Sequence, residues 1–136
     1  MKTFRSGFTL LELMIGLVVV TILASIAIPS FSKSIEKTKV KDAQTTLAAI
    51  YSSEKIYRLD QTSYGSLPNL VTSNYITDPD PANNNTSWDF NVAGGGTNAF
   101  TATATRTGGS YNGQTITASQ SFDGSHYGGT HTLRDQ

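Results

Sequence analysis

Hydrophobic positions concentrate toward one end of this 136-residue chain. Residues 13–28 read LMIGLVVVTILASIAI without a charge, and between Phe8 and Phe31 the one charged residue is Glu12. About 20 helical residues cross the hydrocarbon core of a bilayer, so this run is long enough to span. From residue 30 to about residue 60 the pattern stays helical but becomes one-sided. Val40, Ala43, Leu47, Ile50, Tyr51 and Tyr57 form an apolar stripe, with Lys33, Glu36, Lys37, Lys39, Lys41 and Asp42 falling mainly elsewhere. Glu36 with Lys39, and Glu54 with Arg58, have the spacing of oppositely charged neighbours on a helix. A helix from Phe8 to about Asp60 would be about 80 Å long. That is too long for a compact domain of this size, so its first half must be buried in lipid or in other subunits.

The second half of the chain alternates. Tyr64-Gly65-Ser66-Leu67-Pro68 ends the helical pattern, and Leu67, Leu70, Val71, Tyr75 and Ile76 are expected to tuck the following connection onto the core. The stretch 78–85, Asp-Pro-Asp-Pro-Ala-Asn-Asn-Asn, reads as a loop. Three strands are predicted. Residues 87–92 place Trp88, Phe90 and Val92 on one side. Residues 99–107 set Phe100, Ala102 and Ala104 against Thr101, Thr103 and Thr105. Residues 114–122 align Ile116, Ala118, Gln120 and Phe122. Period two with threonine enrichment is the mark of half-buried antiparallel strands. Gly94-Gly95-Gly96 and Gly108-Gly109 supply the turns, and residues 123–131 read as a Gly-rich loop. The fold class expected is α+β: a long N-terminal helix whose second half packs on a small antiparallel sheet.

Charge and composition narrow the functions. The chain has 10 basic and 10 acidic residues. Without Lys2 and Arg5, 8 basic side chains face 10 acidic ones, a balance of −2. That offers no general attraction for nucleic acid, and none is predicted as a partner. The absence of cysteine removes disulfides, thiolate metal sites and thiol nucleophiles together. No nucleophile, base and orienting group stand in a recognisable set, so no enzyme is expected. His126 and His131 have no evident third metal ligand and read as surface histidines. Asp123 and Asp135 are a thin oxygen supply for calcium, so neither a metal nor a cofactor is predicted. Asn84-Asn85-Thr86 and Asn85-Thr86-Ser87 fit a glycosylation pattern, a weak signal in an Asn-rich loop.

The N-terminal residues carry the sharper signal. Lys2 and Arg5 before an apolar run place the short leader on the cytoplasmic side. A secretory signal cut after the run, or a plain anchor, would explain the hydrophobicity but not Glu12. A carboxylate within an apolar span is costly unless paired, and marks a functional position. The string Lys2-Thr3-Phe4-Arg5-Ser6-Gly7-Phe8-Thr9-Leu10-Leu11-Glu12 resembles the signal of type IV prepilins and pseudopilins. The resemblance implies cleavage between Gly7 and Phe8 by a prepilin peptidase, N-methylation of Phe8 and retention of the apolar segment. It implies a single-pass inner-membrane precursor that later joins an extracellular or periplasmic filament. The lipid bilayer, identical and related pilin subunits and an inner-membrane assembly platform would be its partners.

Glu12 is expected to pair with the Phe8 amine of a neighbouring subunit and so set axial register, since an unmatched charge is costly at low dielectric. Pro29 removes a backbone donor from the helix and leaves the Ser25 carbonyl unpaired. Pilin-like chains resemble this one in carrying a proline there, where the helix loosens in the filament. The organisation expected is a leader over 1–7, an apolar assembly helix over 8–31, an amphipathic helix over 32–62, and a connection with sheet over 63–136. The expected function is a filament subunit. The alternatives are a pseudopilin of a type II secretion system and a minor pilin whose loops at 78–85 and 123–131 act as an adhesin or DNA-uptake module.

Overall fold

The computed structural model of the chain describes residues 7–81, 87–93, 96, 99–124 and 126–135. Leader residues 1–6, Asn83 to Asn85 with Thr86, and the Gly94-Gly95 pair lie outside the described residues. Contacts divide the chain into two units, Met1–Glu36 and Lys37–Gln136.

Helix α1 covers Leu10–Gln61, two residues inside the expected start. Its first turn is closed by Thr9, whose Oγ1 accepts the Glu12 N–H at 3.2 Å and whose carbonyl accepts the Leu13 N–H. In the first unit the hydroxyls of the apolar run turn back on their own helix. Thr21 donates to the Leu17 and Val18 carbonyls, and Ser25 to that of Ile22. The surface left outward is hydrocarbon, with every large apolar side chain from Phe8 to Phe31 exposed. This helix is long and apolar enough to cross a membrane, with a mean hydropathy of 2.5 over its most apolar window.

In the second unit, Val40, Ala43, Leu47 and Ile50 are buried as the stripe predicted, and Tyr51 and Tyr57 are partly buried. The 3–4 spacing then continues to Glu54, which is fully buried. The expected Glu54–Arg58 pair does not form. Glu54 accepts the Gly65 N–H, and Arg58 donates to the Tyr64 hydroxyl at 2.8 Å while lying over its ring. Glu36, expected on the solvated face, is also buried. After α1 the chain passes through Thr62 at φ 59° and enters a short helix, α2, Leu67–Thr72. The connection had no predicted helix. Pro68 sits where a helix tolerates it, in the first turn, and Leu67 and Leu70 are buried.

Among the described residues the sheet has four strands, not three: β1 Trp88–Ala93, β2 Thr101–Arg106, β3 Thr115–Ser119 and β4 Gly128–Gly129, antiparallel in that order. Register pairs Val92 with Ala102, Ala104 with Ile116 and Ile116 with Gly129. Trp88, Val92, Phe100, Ala102, Ala104, Ile116 and Ala118 form the buried face, and Trp88 Nε1 donates to the Lys39 carbonyl at 2.9 Å. Strand β3 stops at Ser119, so Gln120 is exposed rather than aligned inward, while Phe122 still reaches the core. β4 lies in the segment expected to be all loop. A Cβ on Gly129 would stand 2.2 Å from the Thr115 carbonyl oxygen, so only glycine allows the two backbones to approach.

Candidate functional site

Of the predicted N-terminal positions, Glu12 and Pro29 lie on α1, and Gly7 and Phe8 lie just before it. Gly7 and Phe8 are exposed, Phe8 to 77%. Among the described residues, nothing lies within 4 Å of where a Gly7 Cβ would be. Glu12 stands in the first turn of α1 and is exposed. A carboxylate there meets the positive end of the helix dipole. The Phe8 amine that cleavage would create lies one turn before it. Pro29 is separated from this cluster and sits within α1, which continues on both sides of it.

The second unit carries chemistry the sequence did not reveal. His126 is exposed, with Nδ1 3.6 Å from Asp123 Oδ2, as a surface histidine should be. His131 is fully buried, contrary to the surface reading. Its ring lies between Tyr111, stacked at 5.0 Å, and Trp88 at 5.5 Å, and its Nδ1 accepts the Leu133 N–H. It therefore fastens the C-terminal segment to the sheet. Arg106 is a second buried polar residue on the inner face, donating to the Ser87 and Thr107 carbonyls and lying over Trp88. Among the described residues, no three His, Asp or Glu side chains gather as metal ligands.

A cleft of about 560 Å³ opens between α1 and the C-terminal segment. Lys41, His126 and Arg134 line it, with Gln44, Tyr127 and Asp135. The Arg134 guanidinium is positioned by the Gly129 and His131 carbonyls, and its Nε lies 3.3 Å from Asp135 Oδ2. The Tyr127 hydroxyl donates to the Gln44 carbonyl, and burial raises its pKa above the usual tyrosine value. Spacing could not find this cleft, because its cations lie far apart in sequence.

Comparison with known proteins agrees with the geometry. The family model described as "Type IV minor pilin ComP, DNA uptake sequence receptor" matches residues 29–118, and that of the prokaryotic N-terminal methylation motif matches residues 2–28. The chain is 41% identical over 65 residues to the type IV major pilin protein PilA of Myxococcus xanthus, covering 48% of this chain and 30% of that one. It is 37% identical over 89 residues to type II secretion system core protein G of Vibrio cholerae, covering 61% and 60%. It is 28% identical over 116 residues to the type IV major fimbrial protein FimA of Dichelobacter nodosus, covering 76% and 72%. The first two matches therefore span less than two thirds of those relatives.

Proposed function

The chain belongs to the family of the type IV minor pilin ComP, and we propose that it is a structural subunit of a type IV pilus or related filament. In this reading a prepilin peptidase cuts between Gly7 and Phe8, and Phe8 is N-methylated. The observation that carries it is the methylation motif running directly into a helix whose large apolar side chains are all exposed from its start to Phe31. Such a surface is stable only in lipid or against other apolar helices. The precursor is held in the inner membrane as a single span. Handed on by an assembly platform, the helix exchanges lipid for its neighbours in an extracellular or periplasmic filament.

Glu12 supplies the register of that exchange. Its charge and the methylated amine of a neighbour's Phe8 are each costly in an apolar bundle and are relieved by meeting. Pro29, which lacks an N–H, marks where the helix loosens as subunits pack. The test is coexpression of the full chain with a prepilin peptidase and a pilus assembly system, followed by shearing and electron microscopy. The chain is expected in the sheared filaments. A processed chain that stays in the membrane fraction and never enters a filament contradicts the reading.

Similarity to core protein G supports a pseudopilin reading of the same assembly mechanism. A second reading, as a DNA-binding minor pilin, is favoured by the description of the matching family model. It runs against the expectation of no nucleic-acid partner. In this reading the cleft lined by Lys41, His126 and Arg134 would receive phosphates. Duplex DNA binding that weakens with salt and is lost in Lys41→Ala/Arg134→Ala would support it. The absence of binding at low salt would exclude it.

A further inference from the structure

We propose that Asn112 is a modification site at which the chain deamidates itself, and that the turn between β2 and β3 holds this reaction in check. The inference concerns the second unit alone and does not rest on the assembly reading.

Asn112 is the one asparagine of the chain followed by glycine. That pair is reactive by its own chemistry. The Gly113 backbone nitrogen gives its proton to solvent base and attacks the Asn112 side-chain carbon, Cγ. A C–N bond forms, the bond from Cγ to the side-chain nitrogen breaks, and ammonia leaves. Water then opens the cyclic imide at either carbonyl. One opening leaves aspartate at position 112. The other leaves isoaspartate, in which the main chain runs through the former side chain. The net change is amide plus water to carboxylate plus ammonium, with nothing oxidised or reduced. Glycine favours the attack, because no Cβ shields its nitrogen and its backbone turns freely. Asn112 and Gly113 are both exposed, so water and base reach them.

The fold restrains both reacting groups. Tyr111, Asn112, Gly113 and Gln114 form a type II turn. Asn112 has φ −54° and ψ 132°, Gly113 has φ 80°, and the Tyr111 carbonyl accepts the Gln114 N–H at 3.1 Å. Ring closure needs ψ of the opposite sign at Asn112, with the peptide plane turned over so that the Gly113 nitrogen lies beside Cγ. In the folded chain that nitrogen instead donates to the Arg106 carbonyl at 2.8 Å. The Asn112 side chain is held too, its Oδ1 accepting the Gly108 N–H at 2.7 Å. The Arg106 N–H donates to the Gln114 carbonyl at 2.8 Å, which ties the turn to the end of β2. The reaction therefore waits on local opening of the turn, and its rate falls with the fraction of time the turn is open.

The two products differ in what they keep. Aspartate retains an oxygen for the Gly108 N–H. Isoaspartate lengthens the main chain within the turn, so Gly113 no longer sits under the Arg106 carbonyl. This second product loosens the connection of β2 to β3. It leaves an irreversible mark on a chain whose turn has opened.

The test is incubation of the full chain in detergent micelles at mildly alkaline pH, folded in one sample and with the second unit unfolded by urea in the other. Peptide mass spectrometry follows each asparagine, and isoaspartyl methyltransferase labelling separates the two products. Asn112 is expected to convert faster than any other asparagine in urea, and at least about tenfold more slowly in the folded sample. Gly108→Ala strains this turn, because φ there is 76°, while among the described residues nothing lies within 4 Å of the added Cβ. It should speed conversion in the folded chain, with circular dichroism checking that the variant folds. The comparison of the two wild-type samples needs no variant. The isoaspartate form, isolated from the aged sample, should melt below Asn112→Asp. Equal conversion in the two samples, conversion in urea no faster at Asn112 than elsewhere, an unchanged rate in folded Gly108→Ala, or an isoaspartate form as stable as Asn112→Asp would each overturn the proposal.

Discussion

Glu54 and Gly65 tie the end of the long helix to the connection that follows it. Glu54 Oε2 accepts the Gly65 N–H at 3.0 Å, while Oε1 has no hydrogen-bond partner among the described residues. Burial raises the pKa of this carboxyl above the ordinary glutamate value, and the Gly65 bond lowers it in part. The folded chain thus holds the proton to higher pH than the unfolded chain. The associated stability is fully present below the unfolded pKa and is lost as pH rises through the folded one. The second unit is expected to melt at lower temperature as pH rises above the ordinary glutamate range. Glu54→Gln keeps an acceptor for Gly65 and cannot ionise. It should flatten the pH profile and raise the melting midpoint at neutral pH by several degrees, equivalent to about 1 kcal/mol. Thermal melts of both proteins across pH check this.

Leu47 tests the packing of α1 on the sheet. It is fully buried at the middle of the stripe. Leu47→Ala is expected to cost about 2 to 5 kcal/mol, whereas Leu59→Ala, at a position 82% exposed, should change stability by less than about 0.5 kcal/mol. Urea unfolding of the two variants distinguishes them.

Gly129 tests the fourth strand. It has φ 105° and lies against the Thr115 carbonyl, which accepts the Thr130 and His131 N–H groups at 2.8 and 2.9 Å. Gly129→Ala should detach β4, costing more than about 2 kcal/mol. Hydrogen exchange at the Thr130 and His131 amides should accelerate, while that of the β2 amides stays slow.

These positions separate what was legible in the sequence from what was not. The helix, the stripe of Val40, Ala43, Leu47 and Ile50, and the inward faces of the first two strands follow from periodicity, because burial of apolar area dominates there. The buried Glu54, Arg106 and His131 were missed because their burial is compensated by partners distant in sequence or supplied by the backbone, and residue type alone predicts exposure. Only the gap in the stripe between Tyr51 and Tyr57 hinted at Glu54. The strand at Gly128–Gly129 was hidden because glycine carries no alternating side chain. The string that holds Gly7, Phe8 and Glu12 was legible as a local motif, and the N-terminal methylation motif matches over residues 2–28. The cleft of Lys41, His126 and Arg134 was not, since it exists only after folding.

Glu12 separates processing from assembly. Glu12→Leu removes the charge without shortening the apolar helix. Cleavage at Gly7 should persist, because the junction itself is unchanged. Filament yield should fall at least about tenfold, since the neighbour's amine then has no partner. Immunoblots of the processed form and of the sheared fraction measure the two steps separately. Equal filament yield would remove the register role from Glu12.

The filament account rests most directly on where the mature chain begins. Intact mass and N-terminal peptide sequencing of membrane-extracted protein, from cells carrying a prepilin peptidase, read this in one experiment. The account predicts a chain starting at methylated Phe8 with the apolar helix retained. A chain starting at Met1, or one cut after the apolar run, would contradict it.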